Sequence, residues 1–294
     1  MKITAVTTQK NEGACLLEWI AYHKIIGFTD IVILSNDCED GSDEMLDHLS
    51  KSGEIIHLRN DGPYDDRGIR FATLKRADRQ KAVKEADWIM HLDIDEFLNI
   101  HVEDGKITDL IAALPEVDAI ALTWRMFGNN GIIEYKDRLI TDQFARAAPK
   151  IMHWPWRAFM IKTLYRNTGI YGKLGVHRPK QPDSDRVKDA RWFSGSGEVL
   201  PAIAALTSDK PSREFYKLQR ARRDILRHLR SLLGQALARP GPLLTKLVCQ
   251  HTLRLHPTAP QICCRTAAGG TNGGRIIPSN WTRNLRVFCV TAGA

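Results

Sequence analysis

Residues 1–128 alternate between two hydrophobic periodicities, and that alternation constrains the fold more than any other feature of this 294-residue sequence. Ile3–Thr8, Asp30–Ser35, Glu54–Leu58, Trp88–Asp93 and Ala119–Trp124 read as strands. Between them Glu12–Ile26, Ser42–Ser52, Ile69–Ala86 and Ile107–Leu114 carry helical spacing. Leu16 and Ile20 share one buried side of the first helix, and Asp43 and Glu44 suit the positive N-terminal end of the second. Strands alternating with helices build βαβ units on a mostly parallel sheet, with helices on both faces. The expected fold class is α/β and Rossmann-like.

Ligands of such sheets bind outside the carboxyl ends of the strands. Three of those ends are polar here: Thr7 to Glu12, Asn36 to Asp40, and Asp93-Ile94-Asp95-Glu96. The third closes an apolar run containing Trp88, Ile89, Met90 and Leu92. Carboxylates repel one another and resist desolvation, so this cluster needs a partner. Two readings stand. Asp95 or Glu96 caps the next turn while Asp93 bonds a loop, or the D-x-D pair holds a divalent cation. Residues two apart in an extended strand point the same way, so Asp93 and Asp95 can address one ion if that geometry persists. Mg²⁺ or Mn²⁺ takes one or two protein carboxylates and fills its shell with phosphate oxygens and water. Such an ion clamps a diphosphate and neutralises its charge as it leaves.

The stretch KNEGACLLEWIAYHKIIGFTDIVILSNDCEDGSDEML, followed by HLDIDEFL, resembles the GT-A glycosyltransferases related to family 2. It is most similar to a bacterial branch with K-N-E…EW…H…G and D-x-D-E-F motifs. The resemblance covers residues 1–200, and it implies a GT-A fold with a nucleotide-sugar half at 1–128 and an acceptor-side region at 129–200. The implied reaction moves a sugar, hexosyl in type, from a nucleotide-diphosphate sugar to a glycan, lipid-linked or polysaccharide acceptor, with Mn²⁺ or Mg²⁺.

Residue by residue, the resemblance implies metal and diphosphate contacts for Asp93 and Asp95, with Glu96 following them. Thr8, Lys10, Asn11 and Glu12 match the nucleotide position, and Asn36, Asp37 and Asp40 a second donor-contacting turn. Arg70, Arg76 and Arg79 precede the metal strand where the family places donor contacts, a solvated helix face being the other reading. Trp124 and Arg125 border the acceptor side. His177, in GVHRP, matches a third metal ligand or is structural, while His91 reads as core. An inverting transfer needs a general base. Asp137 and Asp142, in IIEYKDRLITDQF, are the expected catalytic carboxylates, with Glu134 behind them; the E-D pair common in family 2 is not evident.

Charge divides the chain. Residues 1–200 hold 27 Lys/Arg against 31 Asp/Glu, whereas residues 201–294 hold 15 against three. The second part reads as a basic extension with an amphipathic helix at Phe215–Leu237, which either covers the sheet or lies on an anionic membrane. Beyond about residue 238 a disordered segment or an altered reading frame is the further expectation. A nucleic-acid-binding protein and a metal-dependent nucleotidyltransferase are the competing functions. The basic part carries no recognised nucleic-acid motif and few aromatics, and the K-N-E and D-x-D-E-F pair favours sugar transfer over both. Six cysteines without C-x-x-C or zinc-like spacing are expected to be free thiols. No apolar run approaches the roughly 18–20 residues of a membrane span. The expected location is cytoplasmic, with peripheral contact at the inner face of the membrane.

Overall fold

The computed structural model describes residues 1–64, 66, 68–129, 131–148 and 160–200, together with the backbone of 287–292. The elements in chain order are β1 (Ile3–Gln9), α1 (Gly13–Ile26), β2 (Asp30–Ser35), α2 (Ser42–Lys51), β3 (Ile56–Arg59), α3 (Ile69–Ala77), α4 (Lys81–Lys84) and β4 (Trp88–His91). They continue with β5 (Glu96–Ile100), α5 (Ile107–Ala112), β6 (Ala119–Phe127), α6 (Ile140–Gln143), β7 (Ile161–Arg166), β8 (Tyr171–Lys173), β9 (Lys180–Pro182), a 3₁₀ turn (Arg186–Lys188), β10 (Trp192–Ser194) and β11 (Val287–Ala292).

The central sheet runs β3-β2-β1-β4-β7-β6-β11-β5, with β10 added on β6. Strands β3, β2, β1 and β4 are mutually parallel. β7 lies antiparallel between β4 and β6. Their sequences explain the placement, because β1 and β2 are buried nearly end to end and read as apolar runs without a solvent face. Two cores cover the two faces. Ile3, Ala5, Ile31 and Ile33 pack with Leu16, Trp19 and Ile20 of α1 and Leu46 of α2. Val6, Val32 and Leu34 pack with Ala77 of α3 and Val83 of α4. The expected α/β architecture with helices on both faces is therefore present.

The chain leaves β1 for β2 and β3 on one side and returns to β4 on the other. β1 and β4 thus flank the point where the strand order reverses, and a crevice opens at their carboxyl ends.

Helix α1 ties this crevice to β5. It begins one residue after Glu12 and stops at Gly27, whose φ of 115° suits glycine and whose N–H caps the last turn. On its inner side Trp19 Nε1 donates to the Glu96 carbonyl at 2.8 Å and the Tyr22 hydroxyl to the Leu98 carbonyl at 3.0 Å. His23 donates from Nδ1 to the Trp19 carbonyl at 2.8 Å and accepts the Leu98 N–H at Nε2, 3.4 Å away. Burial pushes the His23 pKa down to about 3, so the ring is a neutral strut. On β3, His57 joins Asp47 of α2 (2.7 Å) to Ser35 of β2 (2.9 Å), but Ser35 is 0% exposed, so this Ser–His–Asp chain fastens α2 to β2 and β3 and presents no nucleophile.

Several elements depart from the sequence reading. The helix expected over Ile69–Ala86 is two short helices broken at 78–80. The strand expected over Trp88–Asp93 ends at His91, and a further strand begins at Glu96. Residues 287–292 form β11, which pairs with β5 and β6 inside the central sheet. The expected helix at Phe215–Leu237 and the rest of 201–286 lie outside the described residues. Among the described residues no helix is long and apolar enough to cross a membrane.

Candidate active site

At the reversal point Val6 of β1 pairs with His91 of β4, and the Leu92 N–H donates to the Val6 carbonyl at 3.0 Å. Two residues further along, Thr8 and Asp93 line one small cleft with Arg70, Leu74, His91 and Val176. Thr8, Arg70 and Asp93, three of the residues expected from sequence, are therefore brought together.

The acidic motif is a turn, which corrects the extended geometry expected for D-x-D. The Glu96 N–H donates to the Asp93 carbonyl at 3.0 Å, and the Asp93 N–H donates back to Glu96 Oε2 at 2.7 Å. Glu96 thus closes its own turn, as a cap would. It is also one of two carboxylates on a buried lysine. Lys162 Nζ lies 2.9 Å from Glu96 Oε2, 3.1 Å from Asp93 Oδ2 and 3.4 Å from His91 Nδ1. Lys162 and Glu96 are both 0% exposed. Sequence reasoning missed Lys162 altogether.

These contacts divide the carboxyl groups. Burial opposes ionisation of Asp93, but the Lys162 charge outweighs it and holds the pKa below the usual range. Asp95 lacks that cation at close range, and burial with Glu96, Asp93 and Glu12 nearby drives its pKa well up. Burial, Asp40 and Asp93 raise Glu12 to about 7, and burial raises Glu96 to about 7 despite Lys162. Glu96 Oε1 is buried without a hydrogen-bond partner. Hard oxygen donors crowded to this degree suit a divalent cation. Among the described residues no three His, Cys, Asp or Glu side chains gather as a metal-holding group. Any ion held here would have to draw most of its shell from phosphate and water.

His177 stands beside this cluster. Its Nδ1 donates to the Ile161 carbonyl at 3.1 Å, which leaves Nε2 as the lone-pair nitrogen. Burial first and Lys162 second hold the ring neutral. Trp124 packs against it at 5.5 Å between ring centroids. Arg125 donates from Nε to the Ala148 carbonyl at 3.2 Å.

The other strand ends are braced against each other. Asp40 accepts the Gly13 N–H at 3.0 Å and the Ser42 N–H at 3.0 Å, joining the β1–α1 and β2–α2 loops. A Cβ on Gly13 would meet Asp40 Oδ2 at 3.1 Å, so the approach favours glycine. Asn11 accepts the Glu39 N–H at 2.7 Å. Asn36, Asn60 and Thr73 form a buried network, with Asn60 Nδ2 2.7 Å and Thr73 Oγ1 3.2 Å from Asn36 Oδ1. That network seats α3, the helix that carries Arg70. Asp37 accepts the Tyr64 hydroxyl at 2.7 Å and the Gly62 N–H at 2.9 Å, which depress its pKa. Lys10 and Arg79 are exposed, and neither bonds to the acidic cluster among the described residues.

The two expected catalytic carboxylates lie elsewhere. Asp142, on α6, lines a cavity of about 500 Å³ with Ile132, Lys136, Arg138, Leu139 and Gln143. Asp137 is exposed and accepts from the Tyr135 hydroxyl at 3.5 Å. Neither bonds to the Asp93–Lys162 cluster among the described residues. Glu18 of α1 accepts the Ile140 and Thr141 N–H groups at 2.5 and 3.0 Å, so α6 is seated on the same helix that starts beside the acidic site.

Comparison with known proteins gives this geometry a setting. Part of a glycosyltransferase family 92 protein from Oryza sativa subsp. japonica is 25% identical over 152 residues, 49% of this chain and 25% of that protein. One from Ricinus communis is 27% identical over 108 residues, 36% of this chain and 18% of that protein. The matches thus span about a quarter or less of those curated relatives. Among solved structures, S. aureus TarS 1–349 in complex with UDP-GlcNAc overlaps with a TM-score of 0.32 at 16% identity, covering 46% of this chain and 37% of that one. The sequence pattern of glycosyltransferase family 92 matches residues 6–190, and the chain belongs to that family.

Proposed function

We propose that this chain transfers a sugar, hexosyl in type, from a nucleotide-diphosphate sugar to a hydroxyl of a glycan, lipid-linked or polysaccharide acceptor. The observation that carries the reading is the convergence of Thr8, Arg70 and Asp93 on one cleft at the β1/β4 reversal point of a family 92 chain. In this reading the site is organised as in the GT-A enzymes related to family 2. Asp93 and Asp95 would hold Mn²⁺ or Mg²⁺, while His177, expected as a third ligand, does not gather with them into a three-residue metal group among the described residues. That ion, when bound, supplies positive charge to the leaving diphosphate.

The chain's own residues do the rest. Arg70 offers a guanidinium to the diphosphate from the rim of the cleft. The Asn36–Asn60–Thr73 network keeps α3, and so Arg70, in register with the strand ends. Asp37, already fixed by Tyr64 and Gly62, presents an ionised carboxylate at the second strand end to the nucleoside. Asp142, with Asp137 behind it, is the carboxylate we assign to the acceptor's proton, although the cavity of about 500 Å³ that it lines shares no lining residue with the donor cleft. Trp124 and Arg125 form the acceptor side next to His177.

The test is a donor-hydrolysis screen of the purified chain with UDP- and GDP-sugars, with and without Mn²⁺. Cation-dependent release of UDP or GDP is the expected result. No release from any of these donors, in a protein whose folding is verified, overturns the reading.

A further inference from the structure

We propose that Lys162 is a positioning residue: its ammonium occupies the inner side of the acidic motif as a built-in cation. Asp93 and Asp95 then bind a divalent ion weakly alone, and a diphosphate completes the hold. The inference rests on the reading of Asp93 and Asp95 as cation ligands.

The geometry assigns this role because an ammonium has three N–H donors, and Lys162 has an acceptor for each. Glu96 Oε2, Asp93 Oδ2 and His91 Nδ1 stand at 2.9, 3.1 and 3.4 Å. The side chain is 0% exposed. It therefore has neither a spare donor nor a path to a phosphate. Asp93 Oδ2 is committed to Lys162, and Glu96 is split between Lys162 and the Asp93 N–H. Asp93 is left with one uncommitted oxygen, beside Asp95. A fixed positive charge a few ångströms from this position repels a divalent ion in a medium of low effective dielectric. Phosphate oxygens then supply both the missing ligands and the missing negative charge. One feature makes the arrangement specific to this motif: β7 runs antiparallel between β4 and β6, which brings a lysine from 69 positions later onto Asp93.

The experiment measures free Mn²⁺ by electron paramagnetic resonance with the full chain at one fixed pH of about 8. Mn²⁺ is offered alone, with UDP, and with GDP. The wild-type protein should bind Mn²⁺ alone with a Kd of about 1 mM or weaker and roughly tenfold tighter with one of the nucleotides. Lys162→Met should tighten binding of Mn²⁺ alone by about tenfold or more, and Lys162→Arg, which keeps the charge, should stay near wild type. A purely structural lysine would not tighten metal binding when removed. Mn²⁺ binding by a natively folded Lys162→Met that is no tighter than wild type overturns the proposal. If that variant does not fold, Glu96→Gln, which leaves the ammonium less compensated, should weaken Mn²⁺ binding by about tenfold, and an unchanged affinity overturns it. Micromolar binding of Mn²⁺ alone by the wild type overturns it without any variant. Tightening in Lys162→Met with no enhancement by UDP or GDP supports the role of Lys162 and counts instead against the donor reading.

Discussion

Lys162 Nζ and Glu96 Oε2 lie 2.9 Å apart with neither side chain exposed, so one ammonium inside the fold compensates the motif at its core. Removing one member of such a pair strands the other in a poor solvent, at a cost of about 3–5 kcal/mol. Lys162→Met and Glu96→Gln should each lower the unfolding free energy by about that amount, and the double variant by less than the sum. Urea titrations of the four proteins test this. Additive losses would mean that the two residues act separately.

Asp93 and Asp95 should separate in stability while failing together in activity. Each Asp→Asn change should reduce cation-dependent donor turnover by at least about a hundredfold. Without added metal, Asp93→Asn should lower the melting temperature because it removes a counter-charge from Lys162. Asp95→Asn should raise it, since Asp95 is crowded by Glu96, Asp93 and Glu12. Full turnover in either variant would sink the metal assignment, and a lower melting temperature for Asp95→Asn would sink the crowding argument.

Glu12 gives a pH signature. Burial, with Asp40 and Asp93, raises its folded pKa from 4.5 to about 7. Between those values the unfolded chain ionises more readily than the folded one, so this group's contribution is lost as pH rises. Glutamine stays neutral throughout. Glu12→Gln should match the wild-type melting temperature near pH 4.5 and exceed it above about pH 7. The difference between the two proteins is the quantity to measure, because His23 and His91, both held near 3 by burial, favour the folded state in the opposite direction over the same range. A difference that does not grow with pH removes the assigned shift.

Trp19→Phe keeps most of the apolar ring but deletes the 2.8 Å bond to the Glu96 carbonyl. The expected loss is about 1–3 kcal/mol, read by thermal or urea unfolding. Unchanged stability would show that water or a neighbour replaces the indole.

Thr73→Val leaves Asn36 and Asn60 with unmet hydrogen bonds in a buried site. Stability should fall by about 1–3 kcal/mol, and the donor KM should rise as α3 and Arg70 lose their seat. A KM equal to wild type would detach Arg70 from the donor.

The parallel half of the sheet and its helices are legible in the sequence because β1, α1, β2 and α2 carry their periodicity locally. The crevice is legible for the same reason, since Thr8 and Asp93 terminate strands with recognisable apolar runs. What local pattern cannot carry is pairing across long separations. IKTLYR at Ile161–Arg166 lies in the weakly periodic acceptor-side region, which does not read as a strand and where nothing singles out Lys162. Its burial follows only from β7 entering antiparallel between β4 and β6. The available signal was indirect: three acids in four positions without a cation to match. The turn at 93–96 agrees with the capping alternative left open for Glu96, whereas the extended D-x-D geometry depends on a strand that continues to Asp93, and this one ends at His91. The Ile69–Ala86 helix reads as continuous because the break at 78–80 contains neither glycine nor proline.

The contacts from α1 to β5 carry a consequence for how the carboxyl cluster is assembled. Trp19, Tyr22 and His23 reach partners 77, 76 and 75 residues away. Closing loops of that length is slow compared with forming a helix or a hairpin. The position of Glu96 thus depends on contacts that span the chain from the first loop to the fifth strand, and its ion pair adds Lys162, a further 66 positions along. The crowding of these acids is a property of the assembled tertiary structure and of no local segment, because in an extended chain water screens carboxylates from one another.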